Sequence, residues 1–259
     1  MSANFSVKPG CEGFTTLGTT DADGRRIGVL LSHGFTGSVV SMKPWADHLD
    51  RLGFALSVPR LPGHGTSLED MINTRFSDYY AAVESAYEEL AARSDIVFVG
   101  GLSMGGGLAL WLAANHPEIG GVMLVNAAVA SNNKQLMAVP LLKHLVKAMP
   151  GIGNDIKKSG QDEVGYDKTP LKPLDSMVSG WKQIRADLGK VKSPVLLFRS
   201  VEDHVVDPSS AQIILSSVSS TDQQEILLHN SYHVATLDND AETIFEESAK
   251  FIQRLATSD

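Results

Sequence analysis

Cysteine is almost missing from this chain. Cys11 stands alone among 259 residues, so no disulfide can close within the chain, and a reducing compartment is allowed. Basic clusters are missing as well. Acidic residues outnumber lysine and arginine by 30 to 22, a net charge of −8, which argues against nucleic acid as a partner. No H-E-x-x-H and no paired C-x-x-C occurs, so neither a metal site nor a cofactor is expected. Residues 1–14 lack a basic start followed by an apolar run; the expectation is a cytoplasmic protein without a signal peptide. The uncharged run 96–115 contains five glycines at one turn, which would break a membrane-spanning helix in its first half. What is present is an ordinary globular composition, long enough for one large core or a core with an inserted subdomain.

Strand and helix patterns alternate along most of the chain. Apolar runs at 27–32, 54–59, 96–99, 121–126, 195–200 and 224–228 read as strands. Helical periodicity marks 42–52, 76–93, 208–218 and 241–255, and the second of these carries Phe76, Tyr80, Val83, Tyr87 and Leu90 on one face. Strand, helix, strand, helix at this spacing predicts an α/β fold, a mostly parallel central sheet flanked by helices. Residues 130–188 break the rhythm with prolines at 140, 150, 170 and 173 and no convincing strand. They are expected to form a helical cap, with Leu141, Leu142, Leu145, Val146 and Met149 on one helical face, inserted into a core of residues 1–129 and 189–259.

The chemistry centres on Gly101-x-Ser103-x-Gly105, which sits between a strand and a helix. A serine on so tight a turn is held in a strained conformation with its hydroxyl pushed up at the carboxyl edge of the sheet. A hydroxyl needs a base, and the base needs an orienting acid. Only residues just past the carboxyl ends of strands converge there. His48, His116 and His144 fall in helices or the cap. His33 and His64 belong to glycine-bearing turns, where holding loop backbone is the simpler role. His229 ends the last strand, and His233, four residues further, has the freedom to swing over Ser103. For the acid, the segment 199–208 offers Glu202, Asp203 and Asp207. Asp207 precedes Pro208 and reads as a helix N-cap, and Asp203 has a shorter, more easily preorganised side chain than Glu202. Charge on a tetrahedral intermediate would be met by the backbone N–H groups of Met104 and Phe35, each worth roughly 3 kcal/mol in the transition state.

The order Ser103, Asp203, His233 is that of the α/β-hydrolase triad. Nearly end to end, the chain resembles the bacterial monoacylglycerol lipases and related carboxylesterases of that superfamily. The resemblance rests on His33-Gly34-Phe35-Thr36-Gly37, Leu61-Pro62-Gly63-His64-Gly65-Thr66, Gly101-Leu102-Ser103-Met104-Gly105-Gly106, Glu202-Asp203-His204-Val205-Val206 and the segment 230–238. It implies the α/β-hydrolase fold and hydrolysis of a small-molecule acyl ester through an acyl-enzyme, with Ser103, Asp203 and His233 as triad and Phe35 and Met104 as oxyanion-hole positions. It also gives the cap a role. Leu141, Leu142, Leu145 and Val146 would form an apolar entrance able to touch a membrane or micelle surface, unless that face packs onto the core. Glu163, in Asp162-Glu163-Val164-Gly165-Tyr166, resembles the family's polar contact to glycerol, where the alternative is a solvated surface glutamate. The expected substrate is a monoacylglycerol. Two alternatives stand beside it: a carboxylesterase of short-chain esters, and a non-enzymatic sensor that binds a small ester without turning it over.

Overall fold

A computed structural model describes residues 5–257. In chain order the elements are β1 (Phe14–Thr15), β2 (Ile27–Ser32), α1 (Lys43–Arg51), β3 (Ala55–Val58), α2 (Leu68–Ile72), α3 (Phe76–Ala91), β4 (Ile96–Leu102), α4 (Met104–Asn115) and β5 (Gly121–Val125). There follow α5 (Val139–Leu142), β6 (Ala148–Pro150), β7 (Lys168–Pro170), α6 (Leu171–Asp187), β8 (Val195–Ser200), α7 (Ser209–Ser217), β9 (Gln223–Leu228) and α8 (Ala241–Ala256). Seven strands form one sheet in the order β1-β3-β2-β4-β5-β8-β9. β1 pairs antiparallel with β3 and every other pair is parallel.

The strands carry continuous apolar runs because both faces of the sheet are covered. Period-two alternation sorts each strand between two cores. Leu30, Val99, Leu124 and Leu197 enter the core built with α3, α4 and α6. Leu31, Phe98, Val125 and Phe198 enter the core built with α1 and α8. α4 has no amphipathic stripe because it is buried nearly all round. Its glycines let it approach the sheet: a Cβ on Gly105 would stand 2.1 Å from the Ser32 carbonyl oxygen, and one on Gly101 would stand 2.3 Å from the Gly105 carbonyl carbon.

Some expectations shift. In α3 it is Tyr79, not Tyr80, that is fully buried; Tyr80 is half-buried, its ring tilted against Trp111. The helix after β8 starts at Ser209, with Pro208 as its N-cap residue. Asp207 still serves that terminus by accepting the Ser209 N–H at 3.0 Å.

The segment 130–188 departs most from the periodic reading. α5 stops at Leu142, so Leu141, Leu145, Val146 and Met149 share no helical face and are exposed. Met149 instead belongs to a two-stranded antiparallel ribbon, β6 with β7. The prolines explain the ribbon's size, since each of its strands ends on one and Pro removes a ladder donor. α6 packs Met177, Trp181 and Ile184 into the same core as α3 and α4. Among the described residues, no helix is long and apolar enough to cross a membrane.

Candidate active site

Ser103 occupies the one-residue turn between β4 and α4 with φ 57° and ψ −118°, a region that L-residues rarely adopt. Its backbone is pinned on both sides. The N–H donates to the Val125 carbonyl at 2.9 Å, and its carbonyl accepts from Ala128 at 3.0 Å. The hydroxyl makes no cap bond to α4, so it stays available at the floor of a cavity of about 600 Å³. His233 and Glu163 border that cavity, as do Phe35 and the apolar Leu142, Met177 and Trp181.

The structure brings Asp203 and His233 together. Imidazole Nδ1 lies 2.9 Å from Asp203 Oδ2, with both side chains almost wholly buried. The other Asp203 oxygen accepts the N–H groups of Val205 and Val206, both at 2.8 Å. That turn is why the shorter carboxylate is the preorganised one: both lone-pair regions are committed before any substrate arrives. Burial pushes the Asp203 carboxyl up, but the adjacent imidazole and the two N–H donors outweigh it and hold it below the ordinary carboxylate value. For His233 burial acts downward. The carboxylate of Asp203, then those of Glu163 and Asp155, outweigh burial and hold the imidazole above its ordinary 6.5.

The loop after β2 lies against the serine, and a Cβ on Gly34 would stand 3.3 Å from Ser103 Cβ. Phe35 follows Gly34 on this wall. Met104 opens α4, where first-turn N–H groups have no acceptor within the helix and carry the positive end of its dipole. Both glycine-turn histidines hold this wall. His33 Nδ1–H donates to the Gly34 carbonyl at 2.9 Å while Nε2 accepts the Leu61 N–H at 3.2 Å. His64 Nδ1–H donates to the Pro62 carbonyl at 3.0 Å while Nε2 accepts the Thr36 N–H at 3.2 Å. Each ring therefore needs one protonated and one bare nitrogen. Burial pushes His33 down to about 4, and burial followed by the charge of His33 pushes His64 well below 6.5.

These depressed values carry a stability prediction. Between pH 6.5 and about 4 the unfolded chain protonates His33 while the folded chain does not, so stability falls as pH falls through that window. Denaturant unfolding at several pH values should show this acid slope, and His33→Gln should reduce it by on the order of 1 kcal/mol per pH unit. An unchanged slope in the variant would contradict the assignment.

Glu163 is buried, against the reading of a solvated surface residue. Its Oε1 accepts the Asn154 N–H at 3.3 Å, and its own N–H donates to Asn154 Oδ1 at 2.9 Å. Burial raises its carboxyl, and His233 draws it back only in part. Sequence reading missed Asn126. Its Nδ2 donates to the His233 carbonyl at 2.8 Å and to Ser200 Oγ at 3.0 Å, and its Oδ1 accepts the Ser200 N–H at 2.8 Å. It thus ties the ends of β5 and β8 to the histidine loop. A lone Asn after a strand gives no signal of this, although its place just past a carboxyl end does. Among the described residues, no group of three or more His, Cys, Asp or Glu side chains is disposed to hold a metal ion.

Comparison with known proteins places the chain among hydrolases. A family model, Hydrolase_4, described as serine aminopeptidase, S33, matches residues 24–240. A thermostable monoacylglycerol lipase of Bacillus sp. (strain H-257) is 42% identical over 258 residues, covering 99% of this chain and all of that protein. A carboxylesterase of Bacillus subtilis (strain 168) is 26% identical over 88% of this chain and 92% of its own length. A solved structure from a study of LipS and LipT, two metagenome-derived lipolytic enzymes, superposes with a TM-score of 0.91 at 40% identity, covering 96% of this chain and all of that one.

Proposed function

We propose, since the chain belongs to the Hydrolase_4 family and has the α/β-hydrolase fold, that it is a serine carboxylic ester hydrolase acting on monoacylglycerols. Ser103 attacks the ester carbonyl as His233 Nε2 takes its proton. Asp203 fixes the imidazole tautomer and stabilises the imidazolium. The N–H groups of Phe35 and Met104 receive the oxyanion. Collapse expels glycerol, protonated by His233, and water activated by the same imidazole releases the fatty acid from the acyl-enzyme. The observation that carries this reading is the 2.9 Å contact between His233 and Asp203, at the rim of the cavity on which Ser103 opens.

The cavity supports the substrate class. Its volume of about 600 Å³ and its wall of Leu142, Leu174, Met177 and Trp181 suit an acyl chain. Beside these, Glu163 is the polar group for the glycerol hydroxyls, because among the described residues its carboxylate accepts one hydrogen bond, the long 3.3 Å contact from the Asn154 N–H. We place the cap at 130–188 as the segment that selects substrate. The exposed side chains of Met137, Leu141, Leu145 and Ile152 support contact between this segment and a micelle or membrane surface. The purified protein, given 1-monoacylglycerols of graded chain length, a diacylglycerol and p-nitrophenyl butyrate, should prefer the monoacyl series. Glu163→Gln should lower kcat/KM for monoacylglycerol about tenfold more than for p-nitrophenyl butyrate, as expected for losing a charged hydrogen-bond acceptor. A uniform loss on both substrates would remove Glu163 from the glycerol subsite. Equal rates on all esters would favour the general carboxylesterase, and binding without turnover the sensor.

A further inference from the structure

Two cap carboxylates stand near His233, and they differ in how they are used. Asp155, which also borders the cavity, is fully committed. Its Oδ2 accepts the His233 N–H at 3.2 Å and the His204 N–H at 3.3 Å. Its Oδ1 meets His204 Nδ1 at 2.8 Å, and its backbone carbonyl accepts the Val234 N–H at 3.0 Å. These contacts reach both loops that carry the acid and the base. His204 follows Asp203 in the loop after β8, and Val234 follows His233 in the loop after β9. The neighbouring Asn154 has φ 51°, a conformation that Asn tolerates, and this turns Asp155 toward the loops. A few residues on, the Lys157 and Lys158 N–H groups donate to the Asp238 carboxylate at 2.7 and 2.9 Å, and that carboxylate also accepts the Tyr232 N–H at 2.9 Å.

We propose that Asp155 is a positioning residue which holds the loops bearing Asp203 and His233 in the register where their side chains meet, so that seating of the cap segment 154–158 sets the competence of the triad. The proposal rests on the triad reading above. The physical logic is that of shared acceptors. One carboxylate, its side chain 10% exposed, receiving N–H groups from two loops fixes their separation. The Asp203–His233 contact then needs no adjustment when substrate arrives. The groups around His233 are Asp203 from the β8 loop, and Glu163 and Asp155 from the cap. Asp155 itself faces His204, with Glu202 and Lys157 paired at 3.4 Å beside it and Asp162 near Glu163.

The test uses the whole protein with p-nitrophenyl butyrate as substrate. Asp155→Ala should lower kcat by about 10- to 100-fold with KM changed by less than about twofold, since a misplaced imidazole affects the transition state and not the ground state. Asp155→Asn keeps an oxygen for the two N–H groups and should recover kcat to within about threefold of the parent. In the Asn variant the acid limb of kcat/KM should still move down by about half a pH unit, because a carboxylate that favours the imidazolium is gone. A merely structural contact would leave that limb in place. An Asp155→Ala protein with unaltered kcat and acid limb overturns the proposal, as does one whose KM rises while kcat holds. If the alanine variant does not fold, an unshifted acid limb in Asp155→Asn overturns it instead. Ser103→Ala run in parallel separates the two readings: ester turnover surviving there defeats the triad itself, whatever Asp155 does.

Discussion

Ser103→Ala is expected to lower kcat/KM for p-nitrophenyl butyrate by at least about 10⁴-fold and to abolish labelling by a fluorophosphonate probe. Both readouts follow from one atom. No other hydroxyl among the described residues shares its combination of a strained turn, an oxygen not tied to neighbouring backbone and a place on the cavity that His233 of the Asp203–His233 pair also borders. What remains after substitution would be the proposed oxyanion donors and the cavity wall, which belong to the backbone and the core. A second variant makes the prediction sharper. Ser103→Gly should be equally inactive but more stable than Ser103→Ala by about 1 kcal/mol, because φ 57° with ψ −118° strains any residue that carries a Cβ. Thermal unfolding of the pair would decide it. An alanine variant as stable as the glycine variant would mean that the turn stores no strain.

The largest loss of stability should come from a methyl group. Gly105→Ala would put its Cβ 2.1 Å from the Ser32 carbonyl oxygen, 2.6 Å from the Ser32 carbonyl carbon and 2.7 Å from the His33 carbonyl oxygen. All three are backbone atoms of β2 and the loop after it, so no side chain can turn aside. Either α4 backs away from the sheet or the loop moves. The expected cost is about 3 kcal/mol or more, seen as a fall in Tm of about 6–12 °C. Activity should fall as well, because that loop carries the Phe35 N–H. Gly153→Ala is the control. Its Cβ would find nothing nearer than 3.4 Å, and its Tm should stay near that of the parent.

Legibility in the sequence followed the covering of each element. β2, β5 and β8 were readable within a residue because burial on both faces demands unbroken apolar runs, whereas β4 runs three residues past its expected end, through Gly100 and Gly101 to Leu102. The turn around Ser103 was readable because sterics there admit only glycine at Gly101 and Gly105. The segment 130–188 was not. Its apolar residues serve a cavity and an exposed rim instead of one packed face, so Leu141, Leu145 and Met149 mimic a helical stripe that the backbone does not follow. Pro173 misled in another way. It reads as a breaker, yet it stands in the first turn of α6, where proline is tolerated. The spacing of Met177, Trp181, Ile184 and Leu188 was the better signal for that helix. Asp155 was hidden for a third reason. Within Gly153-Asn154-Asp155 it looks like ordinary turn chemistry, and its partners lie 49 and 78 positions away.

The seating of β8 beside β5 has a consequence for building variants. Val125 stands opposite Phe198, although the whole excursion through α5, the ribbon and α6 lies between them. Closing such a connection costs only about 0.6 kcal/mol for each doubling of its length. Grafts that lengthen or shorten 131–170 therefore tax the sheet little, whereas a graft that includes α6 would strip Met177, Trp181 and Ile184 from the interior. Chimaeras should be cut just before Leu171, and should carry an aspartate that can reach the backbone of His204 and His233.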